Sequence, residues 1–259
     1  MDMLSITPQQ EEPRNAIVVF ANQKGGVGKT TLCTTFANYM TAKGHPVLVI
    51  DCDAQQSIYK KRKDDLRAFP GAQITYNVQA FDITNVQFAQ QLMESARRVR
   101  GTVIIDSPGS LSQNGIIPIL TQCDYIVCPF QFDKVTNVST ADFILFINTT
   151  CKKLNITPPQ FIFVPNRFNR NWGTKQELEA WLKTEEIMKE YGVVTPRVLA
   201  GAEMLRYNTI INTPKQNVMT GPTFKCIEGT MVAHLIALTK VTLSIPNLTM
   251  RYNRRTIPP

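Results

Sequence analysis

The stretch AIVVFANQKGGVGKTTL (16–32) places a short β-branched run, a glycine-rich loop and the start of an amphipathic segment end to end. Few folds accept that order. The apolar run is short enough for a buried strand, and the segment from Thr30 carries apolar residues at helical spacing. Between them, Gly25, Gly26 and Gly28 let the backbone curl so that its N–H groups converge on an anion. The helix N-terminus adds positive potential at the same place. Strand, loop and helix in direct succession are the context a phosphate-binding loop requires, and a chance glycine-rich turn lacks it.

The loop residues Gly25, Gly26, Val27, Gly28, Lys29, Thr30 and Thr31 are therefore the expected nucleotide-binding set. Lys29 is expected to hold the β and γ phosphates of ATP, and the Thr30 hydroxyl to ligate Mg²⁺. One position departs from the general G-x-x-x-x-G-K-[ST] spacing, whose first glycine falls at residue 23, a Gln. A second lysine, Lys24, stands at the mouth of the same loop. Elsewhere it would pass as an ordinary exposed lysine.

The alternation continues along the chain. The runs at 46–51, 102–107, 124–129 and 160–166 read as further buried strands; 73–81 reads as a less continuous strand near an edge, and 193–199 as another. Helical spacing recurs at 30–44, 86–100, 138–154, 175–192 and 223–243. Strands alternating with helices imply right-handed crossovers, and so an α/β fold: a mostly parallel, twisted sheet with helices on both faces. Ligands of such sheets bind beyond the C-terminal ends of the strands. Three aspartates fall there. VLVIDCDAQ puts Asp51 and Asp53 after the second strand, and TVIIDSPG ends a strand at Asp106. Asp106 and Asp51 suit Mg²⁺ through its water shell, while Asp53 can face the water that attacks the γ-phosphate.

No repeat or linker interrupts this pattern. It predicts a flexible segment at 1–14, one ATPase domain at 15–245 and a basic, proline-containing tail at 246–259. No apolar run reaches the roughly 18 residues a bilayer demands. The first residues lack the apolar core of a secretory signal, so a cytoplasmic protein is expected. Six cysteines without C-x-x-C spacing, and only two histidines, argue for reduced, buried thiols rather than a zinc site. The net charge is +8, and from Tyr191 onward eight basic residues face two acidic ones, 8 − 2 = +6. An excess on that scale favours a polyanionic partner.

NQKGGVGKTT, VLVIDCDAQ and TVIIDSPG, in this order and spacing, closely resemble the ParA/MinD family of deviant Walker P-loop ATPases. The resemblance covers most of the chain. It implies that Lys24 is the family's signature lysine, which crosses to the partner's nucleotide in an ATP-bound homodimer. It also implies that Asp53 positions the water and Asp106 is the Walker B acid. Asn166 and Pro196 fall where the family contacts adenine. Ala54 stands where the family usually has proline, and QFDKVTNV (131–138) matches it only loosely.

Within the family, the residues point to the ParA branch of plasmid and chromosome partition. Cluster-binding cysteines are absent after the third motif, and the tail SIPNLTMRYNRRTIPP has no apolar helical face for a membrane. The chain is also similar to ParA-like proteins of conjugative elements. That branch implies slow ATP hydrolysis, ATP-gated binding of DNA without sequence preference, nucleoid association and a ParB-like activator. With the loop near residue 22, no helix-turn-helix, and so no sequence-specific operator binding by this chain alone, is expected. Arg197, Arg206, Arg251, Arg254 and Arg255 are the expected DNA contacts, with KKRKDDLR (60–67) and RFNRNW (167–172) as further ones. The alternative is an ATP-dependent ligase of the dethiobiotin synthetase type, which needs a small-substrate pocket and no trans-acting Lys24.

Overall fold

A computed structural model describes residues 15–169, 171, 173–210, 216 and 220–232. The segments 1–14 and 246–259, with Arg251, Arg254 and Arg255, lie outside the described residues, as does 233–243 of the last expected helix. Among the described residues, seven strands form one sheet in the order β3-β2-β4-β1-β5-β6-β7, every pairing parallel. They are β1 (Asn15–Phe20), β2 (Val47–Asp51), β3 (Asn77–Ala80), β4 (Gly101–Asp106), β5 (Tyr125–Phe130), β6 (Gln160–Pro165) and β7 (Gly192–Val194). This is the expected α/β architecture.

The chain leaves β1 towards β2 and β3, returns to β4 beside β1, and then crosses to β5 on β1's other side. The crevice where the order reverses lies at the C-terminal end of β1, the general ligand position on such sheets. Register concentrates the motifs there, because Phe20 pairs with Asp106 and Asp106 with Asp51.

β1 is buried on both faces, which explains its unbroken apolar run. Ile17 and Val19 pack towards α3 (Val86–Arg97), α4 (Ile116–Gln122) and α5 (Lys134–Leu154). Val18 and Phe20 pack towards α1 (Lys29–Ala42) and a helical stretch at 220–232. There Phe36 and Phe224 meet with ring centroids 5.3 Å apart.

Three elements depart from the pattern expected of them. α2 (Ser57–Ala68) was hidden because its buried face is Ile58, Arg62 and Asp65, helical spacing carried largely by charge. α4 is short and apolar on most sides, so no period distinguishes it from a strand. α5 begins at Lys134 rather than 138, since the Asp133 carboxylate accepts the Thr136 N–H at 2.9 Å and caps it. All six cysteines are free; five are buried and Cys226 is half-buried. No helix among the described residues is long and apolar enough to cross a membrane.

Candidate nucleotide site

The loop after β1 is held from several directions. The Asn22 amide donates to the Pro129 carbonyl (2.8 Å) and the Thr140 hydroxyl (3.0 Å), and its oxygen accepts the Lys24 N–H at 3.0 Å. Asn166, at the end of β6, donates from Nδ2 to the Val27 carbonyl at 2.7 Å. Gly28 lies at φ 99°, and a Cβ there would stand 2.3 Å from Asn166 Nδ2. Only glycine permits that close approach.

α1 begins directly after Gly28 without a side-chain cap, whereas α3, α5 and α6 (Lys175–Lys189) are capped by Asn85, Asp133 and Thr174. Its first N–H groups are thus left for an anion. Below them a cleft of about 660 Å³ is lined by Gly25, Gly26, Gly28, Lys29, Thr30, Thr31, Asp53, Gly109, Gln113 and Arg167, among others. A second hollow of about 530 Å³ shares Gly28, Thr31 and Arg167, and adds Asn166, Leu199, Gly201, Met204 and Leu205. Phosphates suit the first and a base suits the second.

The titrating groups fit a magnesium nucleotide. Lys29 is buried, and its ammonium donates to the Lys24 carbonyl at 3.3 Å. Burial lowers its pKa, while Asp106 and Asp53 pull it back up. Asp106 is fully buried, with both carboxylate oxygens lacking a hydrogen-bond partner among the described residues. Burial raises its pKa to about 8, against the nearby Thr30 hydroxyl and with the charge of Asp51. Thr30 lies close enough to favour the charged form without a bond of ordinary geometry. A buried, orphaned carboxylate beside a threonine hydroxyl has the donor chemistry Mg²⁺ selects, and that ion keeps most of its waters. Accordingly, no group of three or more His, Cys, Asp or Glu converges on a metal position among the described residues.

Asp51 has another task than the expected one. Its Oδ2 accepts the Ile58 and Tyr59 N–H groups at 2.9 and 3.1 Å, and Oδ1 accepts that of Asp53 at 3.3 Å. It caps α2, so both of its oxygens are already engaged by backbone N–H groups. Asp53 Oδ1 accepts the Gln55 N–H at 2.8 Å, and its other oxygen makes no hydrogen bond among the described residues. Pro196 lines neither hollow; its carbonyl accepts the Thr195 and Thr223 hydroxyls.

A family model, the CobQ/CobB/MinD/ParA nucleotide binding domain, matches residues 18–215. The chain belongs to this family. The carboxysome distribution protein A of Gloeobacter kilaueensis is 32% identical over 126 residues, 47% of this chain and 51% of that protein. The chain spans about half the length of the curated relatives it matches. Among solved structures, a plasmid partition protein of Borrelia burgdorferi B31 bound to AMPPNP superposes with a TM-score of 0.61 at 18% identity, covering 85% of this chain and all of that one. The pNOB8 ParA bound to nonspecific DNA gives 0.56 at 19%, covering 83% and 99%. At such identities the superpositions speak for the fold, and the relatives' names agree with the ParA branch of the family.

Two lining residues of this ParA/MinD-type site were not expected there: Arg167, read from the sequence within RFNRNW as a DNA contact, and Gln113. Arg167 borders both hollows with a left-handed φ of 55°, a conformation uncommon outside glycine. Its position directly after Asn166 was the available clue. Gln113 sits among serines in an unremarkable loop.

The expected DNA-contacting arginines fare unequally. Arg206 is exposed. Arg197 is half-buried between Phe132 and Phe168, 5.2 and 4.6 Å from the ring centroids, and pairs with Glu185 through Nε at 2.7 Å and Nη2 at 3.0 Å. That charge is already matched, so Arg197 braces the loops behind the site. In KKRKDDLR, Arg62 is buried as well: it donates to the Thr209 hydroxyl, the Thr209 carbonyl and the Tyr76 carbonyl at 2.8, 2.8 and 2.6 Å. Lys60, Lys63 and Arg67 remain exposed on that helix.

Proposed function

We propose that this chain is a ParA-type ATPase that dimerises on binding ATP and binds DNA without sequence preference. Mg²⁺-dependent hydrolysis, raised by a ParB-like activator, then releases it, so that a DNA element is partitioned or positioned over the nucleoid. One observation carries the reading. Lys29 occupies the phosphate cleft of its own subunit, while Lys24, two residues before Gly26, does not line that cleft. A cation excluded from its own site but adjacent to it is available to a facing one. Bound Mg²⁺–ATP supplies the phosphoryl group. Lys29 and the uncapped N–H groups hold its charge, Thr30 and Asp106 hold the metal, and the free oxygen of Asp53 orients water.

Arg206, Lys225, Lys60, Lys63 and Arg67 are each exposed and able to meet phosphates, and a dimer doubles their number. The AMPPNP-bound and DNA-bound relatives support both halves of the proposal. Gel shifts on two unrelated duplexes, with ATP and with ADP, test it. Binding should need ATP, ignore sequence and weaken with salt, log affinity falling by roughly 0.9 per neutralised phosphate for each unit of log salt. Charge reversal at Arg206 and Lys225 should weaken binding more than reversal at Arg251, Arg254 and Arg255, because Arg206 and Lys225 are exposed on the folded body. Equal binding in both nucleotide states would leave a small-molecule ligase as the better reading.

Asp53→Ala should keep ATP binding and accumulate as the ATP-bound dimer, since the phosphate grip is untouched. Size-exclusion chromatography with ATP reads this out. Hydrolysis at the normal rate would move the water-orienting role to another side chain.

A further inference from the structure

The phosphate cleft and the second hollow meet at the three residues they share, Gly28, Thr31 and Arg167. A nucleotide with its base in one hollow and its terminal phosphates in the other must thread its ribose and α-phosphate between them. Gly28 offers backbone at that junction, Thr31 offers a hydroxyl in the first turn of α1, and Arg167 brings the charge. Arg167 is exposed, and its side chain makes no hydrogen bond or ion pair among the described residues.

The backbone around it is fixed on both sides. The Asn166 N–H donates to the Phe130 carbonyl at 2.8 Å, and the Phe168 N–H to the Val198 carbonyl at 2.9 Å. Phe168 also sets its ring edge-on to Phe132 and Trp181, with centroids 6.1 and 5.9 Å apart. Between these clamps residue 167 is held at φ 55°. Glycine adopts that left-handed conformation freely, whereas an L side chain there is strained. An arginine that gains no partner from the fold gives nothing back for the strain. Strained backbone kept beside a ligand cleft points to a side chain the ligand uses.

We infer that Arg167 grips the α-phosphate of the bound nucleotide. This rests on the ATPase reading above. A guanidinium presents a planar fork of N–H donors that matches two phosphate oxygens. The α-phosphate is charged in ATP and ADP alike and lies outside the bond that hydrolysis breaks. The grip is therefore uniform: it tightens both nucleotides equally and leaves the chemical step alone. RFNRNW reads in the sequence as a DNA contact, and the junction assigns the first of its arginines to the nucleotide instead.

The decisive variant is Arg167→Gly, which keeps the left-handed backbone and removes the fork. Competition against labelled ADP should show AMP, ADP and a slowly hydrolysed ATP analogue weakened by one common factor of about tenfold. Lys29→Ala should spare AMP, which has no β or γ phosphate. With Mg²⁺ and duplex DNA, the KM of Arg167→Gly for ATP should rise by the same factor at unchanged kcat. Its melting temperature without nucleotide should be no lower than the parent's, and its DNA affinity at saturating analogue should be parental. Parental affinity for all three nucleotides, or a loss for ADP that spares AMP, overturns the inference alone. So does a lower melting temperature, which would make the side chain a brace, or weakened DNA binding at saturating analogue, which would make it a DNA contact. A parent that binds no nucleotide overturns the ATPase reading, and this inference falls with it.

Discussion

Asp106→Asn should melt at a higher temperature than the parent at pH 8, without nucleotide and in the presence of EDTA, and should have lost Mg²⁺-dependent hydrolysis. The carboxyl of Asp106 is buried with both oxygens unpaired. Burial lifts its pKa to about 8, from a value near 3.9 in the unfolded chain. Between those values the folded state holds a proton that the unfolded state has released. The slope of unfolding free energy with pH is therefore negative, and stability drains away as pH rises from about 4 to about 8. Each pH unit across that window is worth about 1.4 kcal/mol. Even a third of the total would move the melting temperature by several degrees in a domain of this size. Asparagine has no proton to lose, so its melting temperature should decline less steeply than the parent's over that range; Asp51, its own carboxyl raised by burial, contributes the same decline to both. Thermal melts from pH 5 to pH 8 compare the two directly, and parallel curves would mean that Asp106 is solvated or paired in solution. Added Mg²⁺ and ATP should raise the melting temperature of the parent at pH 8 more than that of Asp106→Asn, which keeps the Lys29 grip but has lost the carboxylate for the metal.

That instability bears on how the sequence could be read. The positions of the loop, Asp53 and Asp106 were legible because they end or closely follow buried strands, where the backbone fixes their place. β3 was legible as an edge strand because its apolar run is broken, and the edge needs only one buried face. What escaped was whatever depends on partners distant in the chain. Asp51 and Asp106 end adjacent strands with the same chemistry, and only the packing of α2 turns one into a cap and leaves the other's oxygens unpaired among the described residues. Arg62 and Arg197 look like surface charge until Thr209, Tyr76, Glu185 and two phenylalanines are gathered around them. Gln113 has no motif. A place on the wall of a cleft is a property of an environment, and no spacing of letters reveals it.

The two loop lysines should fail in different ways. Lys29→Ala should lose ATP and ADP affinity alike by on the order of a hundredfold, since bonds from a charged donor are worth about 1.5–3 kcal/mol each. Its ammonium lies buried in the cleft, and no other lysine lines that space. Lys24→Ala should bind both nucleotides as the parent does. The two bonds Lys24 contributes to loop geometry come from its backbone: its N–H to Asn22 Oδ1 at 3.0 Å, and its carbonyl from Lys29 Nζ at 3.3 Å. Alanine keeps both, so the phosphate grip survives and only the side-chain charge is lost. If that charge serves a facing subunit, the variant should remain monomeric with a slowly hydrolysed ATP analogue, where the parent doubles its mass by light scattering. DNA binding should disappear with the dimer, although no basic residue of the proposed DNA surface has been altered. A Lys24→Ala protein that dimerises with the analogue as the parent does would remove the trans-acting lysine from the mechanism. A variant that fails to bind nucleotide at all would place Lys24 in its own cleft, as a second phosphate lysine of a subunit that works alone.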